Sequence, residues 1–162
     1  MMRRVMLLRH GKSSWAKEGI SDHDRPLLER GENDAVKLGN HLTTTGRLPD
    51  HIISSTARRA VDTALRVAQV CAFPHPVAHR PELYLCEPDV YLSLIAELPE
   101  QASLPLFVGH NPGLEALVRH LSGKVVPLGT ANLVEIELNL PRWSQCDRKT
   151  HGVILHQWSP KK

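Results

Sequence analysis

Aromatic residues are scarce in this chain: two Phe, two Tyr and three Trp make up 4% of 162 residues. A core must therefore be filled by Leu, Val, Ile and Ala. Trp15, Trp143 and Trp158 are too scattered to form a base-stacking platform and read as packing or rim residues. Cysteine is as sparse. Cys71, Cys86 and Cys146 are odd in number, widely spaced and without a CxxC pair. That excludes a disulfide framework and fits a reduced, cytoplasmic setting. The net charge of +3 comes without any run of Lys and Arg, so nucleic acid is not an expected partner. No apolar stretch is long enough to span a bilayer, and Val5 to Leu8 is too short for the core of a signal peptide. No membrane association is expected.

What is present is an ordinary globular composition, 41% hydrophobic and 23% charged, at a length that suits one domain. Short apolar runs at Arg3–Leu8, His51–Ile53 and Leu104–Val108 read as buried strands, with a further short one at Val77–His79. Helical spacing appears over Gly31–Gly46, Ala57–Cys71, Pro88–Leu98 and Leu114–Leu121. In Ala57–Cys71 the apolar face is expected to comprise Ala57, Ala60, Val61, Ala64, Leu65 and Ala68, opposite Arg58, Asp62, Arg66 and Gln69. Asn132–Leu140 and Val153–Trp158 end the chain as two β stretches. Strands alternating with helices predict an α/β fold of three layers, α/β/α. Its central sheet is mostly parallel, with helices on both faces and a C-terminal antiparallel hairpin.

The stretch Leu7 to Trp15, LLRHGKSSW, carries a Gly-Lys-Ser that looks like the end of a nucleotide-binding P-loop. That loop needs a glycine five residues before Gly11, where Met6 stands inside the strand, so the P-loop reading fails. Three loops that follow predicted strands nevertheless offer groups suited to phosphate. They are Arg9-His10-Gly11, Ser54-Ser55-Thr56-Ala57-Arg58-Arg59 and Gly109-His110-Asn111-Pro112-Gly113. At the carboxyl ends of parallel strands such loops converge on one crevice. Two His and two or three Arg brought to one point make a phosphoryl site.

Four segments in order, LLRHGKSSW at 7 to 15, DRPLLERG at 24 to 31, SSTARRAVDTA at 54 to 64 and VGHNPGLEAL at 108 to 117, resemble the histidine phosphatase superfamily. The fold the resemblance implies is phosphoglycerate mutase-like, and within the superfamily the likeness is to the small SixA-type phosphohistidine phosphatases. It implies a phosphatase in which His10 is the nucleophile and carries a covalent phosphohistidine intermediate. Arg9 and one of Arg58 or Arg59 grip the phosphoryl oxygens. The helical wheel does not separate these two, but the family's spacing of Ser, then Arg four residues on, then Ala matches Ser55-Arg59-Ala60. Arg58 is then left to pair with Asp62 one turn along. His110 becomes the second histidine on the phosphate, Arg25 reaches the pocket from its loop, and Gly11 allows a tight turn beneath the His10 ring.

Two departures carry information. Larger relatives place an Asn where Ala16 stands, and a carboxylate general acid in mid-chain where Glu82, Glu87 and Asp89 offer no clear match. A phosphohistidine leaves through a nitrogen whose unperturbed pKa is about 6.5, so it needs less protonation than an alkoxide. The span from Arg59 to His110 is also short, which implies one histidine phosphatase domain over 1–162 without a large cap insertion. Cys71, His75 and His79 recur at metal-ligand spacing for a helix, but Pro74 and Pro76 break any helix there. No metal or cofactor is expected. The expected substrate is phosphohistidine in a protein, with inorganic phosphate as product. The alternatives are a small phosphorylated molecule, hydrolysed by a general phosphomonoesterase, or a non-catalytic module that binds phosphate or phosphoprotein.

Overall fold

Val5, Met6, Leu7 and Leu8 are all fully buried, which a strand achieves only when a layer of helices covers each face of its sheet. The computed structural model describes residues 2–15 and 18–160 and places these four in strand β1, Met2–Arg9. There follow α1 (Glu29–Thr44), β2 (His51–Ser54), α2 (Arg58–Val70), β3 (Ala78–His79) and α3 (Pro88–Ala96). The chain continues through β4 (Pro105–Gly109), α4 (Gly113–Ser122), β5 (Leu133–Asn139) and β6 (Gly152–Trp158). The sheet order is β3-β2-β4-β1-β5-β6. β3, β2, β4 and β1 pair in parallel, and β5 runs antiparallel to both β1 and β6. The α/β fold with its antiparallel end is the one expected.

The faces divide by the pleat. Val5 and Leu7 join Phe107 and the apolar sides of α3 and α4, including Tyr91, Ile95, Leu114 and Leu117. Met6 and Leu8 join Ile52, Leu106 and the apolar sides of α1 and α2, including Leu38, Leu42, Ala60 and Ala64. Trp143, in a turn between β5 and β6, completes the first face and donates its indole N–H to the Ala102 carbonyl at 2.9 Å. No helix among the described residues is long and apolar enough to cross a membrane.

The apolar face of α2 differs from the expectation. Leu65 stands 44% exposed and Val61 is half-buried, while Arg59, Thr63 and Val67 join Ala60 and Ala64 inside. The Thr63 hydroxyl is satisfied: it donates to the Arg59 carbonyl at 2.7 Å and accepts the Gly11 N–H at 3.0 Å. Burial with partners costs little. The helix therefore turns its functional side inward at the expense of Leu65.

The carboxyl ends of β2, β4 and β1 lie side by side at one edge, where loop residues from each strand meet. His10 N–H donates to the Gly109 carbonyl at 3.2 Å, and Ser55 N–H to the Val108 carbonyl at 3.0 Å. The segment entering β5 returns to the same edge, where Ala131 N–H donates to the carbonyls of Arg9 and His10.

Candidate active site

The loop after β1 is held from below by two glycines. A Cβ on Gly11 would lie 2.9 Å from the Gly31 carbonyl oxygen, and one on Gly31 would lie 2.2 Å from that of Lys12. Backbone packs directly on backbone at the start of α1. This close approach, and not a left-handed turn, is what calls for Gly at 11. Its N–H is spent on Thr63, and Gly11, named from sequence among the substrate-binding residues, lies beneath His10 and not among the residues lining the cleft.

His10 is 6% exposed, and its Nδ1 lies 2.8 Å from the Gly11 carbonyl. A carbonyl only accepts, so Nδ1 carries the ring proton and Nε2 keeps a bare lone pair. Burial pushes the His10 pKa down to about 4. The Arg59, Arg9 and Arg25 guanidiniums push the same way, and only the Gly11 carbonyl opposes them. The ring is neutral at neutral pH.

His110, 3% exposed, sits with its ring centroid 5.2 Å from that of His10. Its Nε2 lies 2.8 Å from the Ser55 hydroxyl, which also accepts the Ala57 N–H at 3.2 Å. The hydroxyl hydrogen is free to go to Nε2, which leaves the His110 proton on Nδ1. Burial, then the neighbouring His10 and Arg59, bring the His110 pKa down to about 3.

Arg59, 3% exposed, is the guanidinium that enters the cleft, while Arg58 points out to Asp62 at 3.5 Å. Of the two, Arg59 is the one that lines the cleft. Arg59 donates through Nη1 to the Asp22 carbonyl at 2.7 Å and through Nη2 to the Asp22 carboxylate at 3.2 Å. Arg9 donates to the Leu128 carbonyl at 3.0 Å. Arg25 reaches the same cleft, bound to Ser13 at 3.0 Å and to the Asp22 carboxylate at 3.0 Å. Three buried polar atoms lack a partner here: Arg9 Nε, Arg59 Nε and His110 Nδ1. All belong to residues lining a cleft of about 340 Å³ that also holds His10, Lys12, Ser13, Asp22 and Arg25. Guanidiniums and imidazoles gathered around one space fit a ligand made of acceptors.

The family model of the histidine phosphatase superfamily (branch 1) matches residues 5–85. An uncharacterized chloroplastic protein of Arabidopsis thaliana is 33% identical over 153 residues, covering 88% of this chain and 70% of that protein. This chain belongs to the histidine phosphatase superfamily. A SixA protein of Agrobacterium tumefaciens superposes with a TM-score of 0.82 at 28% identity, over 98% of both chains. The protein histidine phosphatase SixA in complex with tungstate shares the fold, with a TM-score of 0.82 at 24% identity over 97% of each chain.

In this histidine phosphatase superfamily chain, the carboxylate that lines the cleft with the two rings is one that sequence reasoning missed. Asp22 accepts from the Tyr84 hydroxyl as well as from Arg59 and Arg25. The Tyr84 contact, with Arg59 and Arg25 adding to it against the pull of burial, holds its pKa at about 2. Tyr84 packs edge-on against His110 with centroids 5.6 Å apart. The mid-chain acids lie elsewhere: Glu82 pairs with Arg80, Asp89 pairs with Arg148 and Glu87 is exposed. The one signal that could have found Asp22 is its place three residues before Arg25, a residue already singled out. Ala16 lies outside the described residues. Away from the cleft, His156 packs against His41 with 2.7 Å between their Nε2 atoms.

Proposed function

We propose that this chain is a metal-independent phosphatase in which His10 attacks phosphorus and carries the phosphoryl group as a covalent intermediate. One observation carries the reading. A buried His10, its proton held on Nδ1 by a carbonyl, offers a bare Nε2 in a cleft also lined by the Arg9, Arg25 and Arg59 guanidiniums and the His110 imidazole. An Nε2–P bond forms as the bond from phosphorus to the leaving group breaks. Water then attacks the phosphohistidine, releases inorganic phosphate and returns His10 to its neutral form. Arg9, Arg59 and Arg25 meet the charge on the equatorial oxygens, and His110 donates to one of them. Tungstate, the tetrahedral oxyanion named with a SixA structure, has the shape such a site accommodates.

The substrate we propose is phosphohistidine in a protein. Asp22, the carboxylate among the lining residues, is ionised at neutral pH and so is no proton donor to an alkoxide. A leaving imidazole needs far less protonation. The cleft is bordered by exposed Trp15 and Leu85, a rim a protein surface can approach. The test is a rapid-quench experiment with a ³²P-phosphohistidine protein in the presence of a chelator. Acid-labile label is expected on the wild-type chain and none on His10→Ala, whose turnover falls to background. Tight binding without label on either chain would favour a module that only binds phosphoprotein. Comparable kcat/KM on a sugar phosphate would favour a general phosphomonoesterase.

A further inference from the structure

The cleft holds a contradiction in charge. Its inner half, with Arg9, Arg59, His10 and His110, is built for an anion. Its outer half presents an ionised carboxylate, Asp22, tied to two of the guanidiniums that a phosphate would claim. A fixed negative charge there weakens the binding of any substrate that is only a phosphate ester. It strengthens the binding of one whose phosphoryl group is attached to a cation.

Other residues at this cleft fit a flat cation. Trp15 is 81% exposed on the lip of the cleft, a large aromatic face turned to solvent. Leu85, 53% exposed, is held on the lip at φ +50, a backbone conformation that bulky residues rarely adopt. Tyr84 carries the hydroxyl that donates to Asp22. An aromatic face and a carboxylate lining one cleft suit a planar, positively charged ring.

We infer that Asp22, with Trp15 and Leu85, forms a leaving-group subsite that recognises the imidazolium ring of a phosphohistidine, Asp22 accepting the N–H of the ring nitrogen that carries no phosphorus. This rests on the phosphohistidine reading above and assigns its selectivity to named residues. The step balances as an exchange between like partners. The substrate ring enters with phosphorus on one nitrogen and a proton on the other. As Nε2 of His10 bonds to phosphorus, the electron pair of the breaking P–N bond stays on the substrate nitrogen. The substrate leaves as neutral imidazole, its N–H still on Asp22. His10 takes up the positive charge, its own N–H still on the Gly11 carbonyl.

The experiment compares kcat/KM for a phosphohistidine peptide and for p-nitrophenyl phosphate, whose leaving group has no N–H and departs as an anion. In Asp22→Asn the ratio of the two is expected to fall at least tenfold. The alkaline limb of kcat on the peptide is expected to move down by about one pH unit, because the carboxylate no longer holds the proton on the substrate ring. Trp15→Ala is expected to lower the same ratio through KM, and at such an exposed position it leaves the fold intact. Equal losses on both substrates in Asp22→Asn, with no movement of the limb, would show that Asp22 only positions Arg59 and would overturn the inference. An unchanged ratio in both variants would overturn it as well. A wild-type chain without activity on the peptide would instead remove the phosphohistidine reading itself, and the inference with it.

Discussion

His10 gains its reactivity from what surrounds it. A free imidazole is half protonated near pH 6.5, whereas this one, buried among guanidiniums, titrates at about 4. With the neutral ring as the proposed nucleophile, kcat/KM is expected to stay level from pH 7 to 5 and to halve only near 4, as a pH–rate profile on an aryl phosphate will show. Removing a positive neighbour raises the ring's pKa, so Arg59→Gln moves the acid limb upward. The two adjacent arginines separate sharply. Arg59→Ala is expected to lower kcat/KM by about 10²–10³-fold, the scale of losing a preorganised charged donor. Arg58→Ala, which breaks only an exposed pair with Asp62, stays within about threefold. At this scale much of the site was legible from sequence, because each strand-end loop states its own chemistry. Asp22 was not. Its meaning lies in contacts with Arg59 and Tyr84, 37 and 62 positions away along the chain, and no local pattern announces such a meeting.

Elements act here as rigid supports for loops. Behind His110, a Cβ on Gly109 would lie 1.9 Å from the Tyr91 hydroxyl oxygen, so β4 and α3 fit only because that position is bare. Gly109→Ala is expected to cost about 1–3 kcal/mol by overpacking, read as a drop of several degrees in Tm, and to displace His110 and slow turnover. Adding Tyr91→Phe removes the clashing oxygen and should restore part of both, a coupling that a double-mutant cycle measures. The strands and helices themselves were readable, since apolar runs and helical spacing mark them. The inward side of α2 was not. Counting apolar side chains favours Leu65 inside, whereas α2 buries Arg59 and Thr63, the latter with its hydroxyl bonded both as donor and as acceptor. Hydrophobic patterning is blind to a polar group that brings its own partner.

At the scale of the molecule, the site draws on stability. His10 and His110 are held neutral, with pKa values of about 4 and about 3 against 6.5 in the unfolded chain. The unfolded state therefore takes up protons first as pH falls. Stability is intact above about pH 6.5 and declines below it, by at most about 1.4 kcal/mol per pH unit for each ring, until each reaches its folded pKa. Thermal melts between pH 7 and 4 are expected to show Tm falling through that window. Phosphate or tungstate at pH 7 raises Tm in proportion to the logarithm of its concentration once that exceeds Kd.

The order of the strands has one more consequence. β1 and β2 share no backbone pairing; each is joined instead to β4, which slots between them. A nascent chain on the ribosome carries His10 and all three of its neighbouring arginines long before Pro105 is translated, yet has no sheet on which to bring them together. The enzyme can come alive only late in its own synthesis, when one five-residue segment closes the gap.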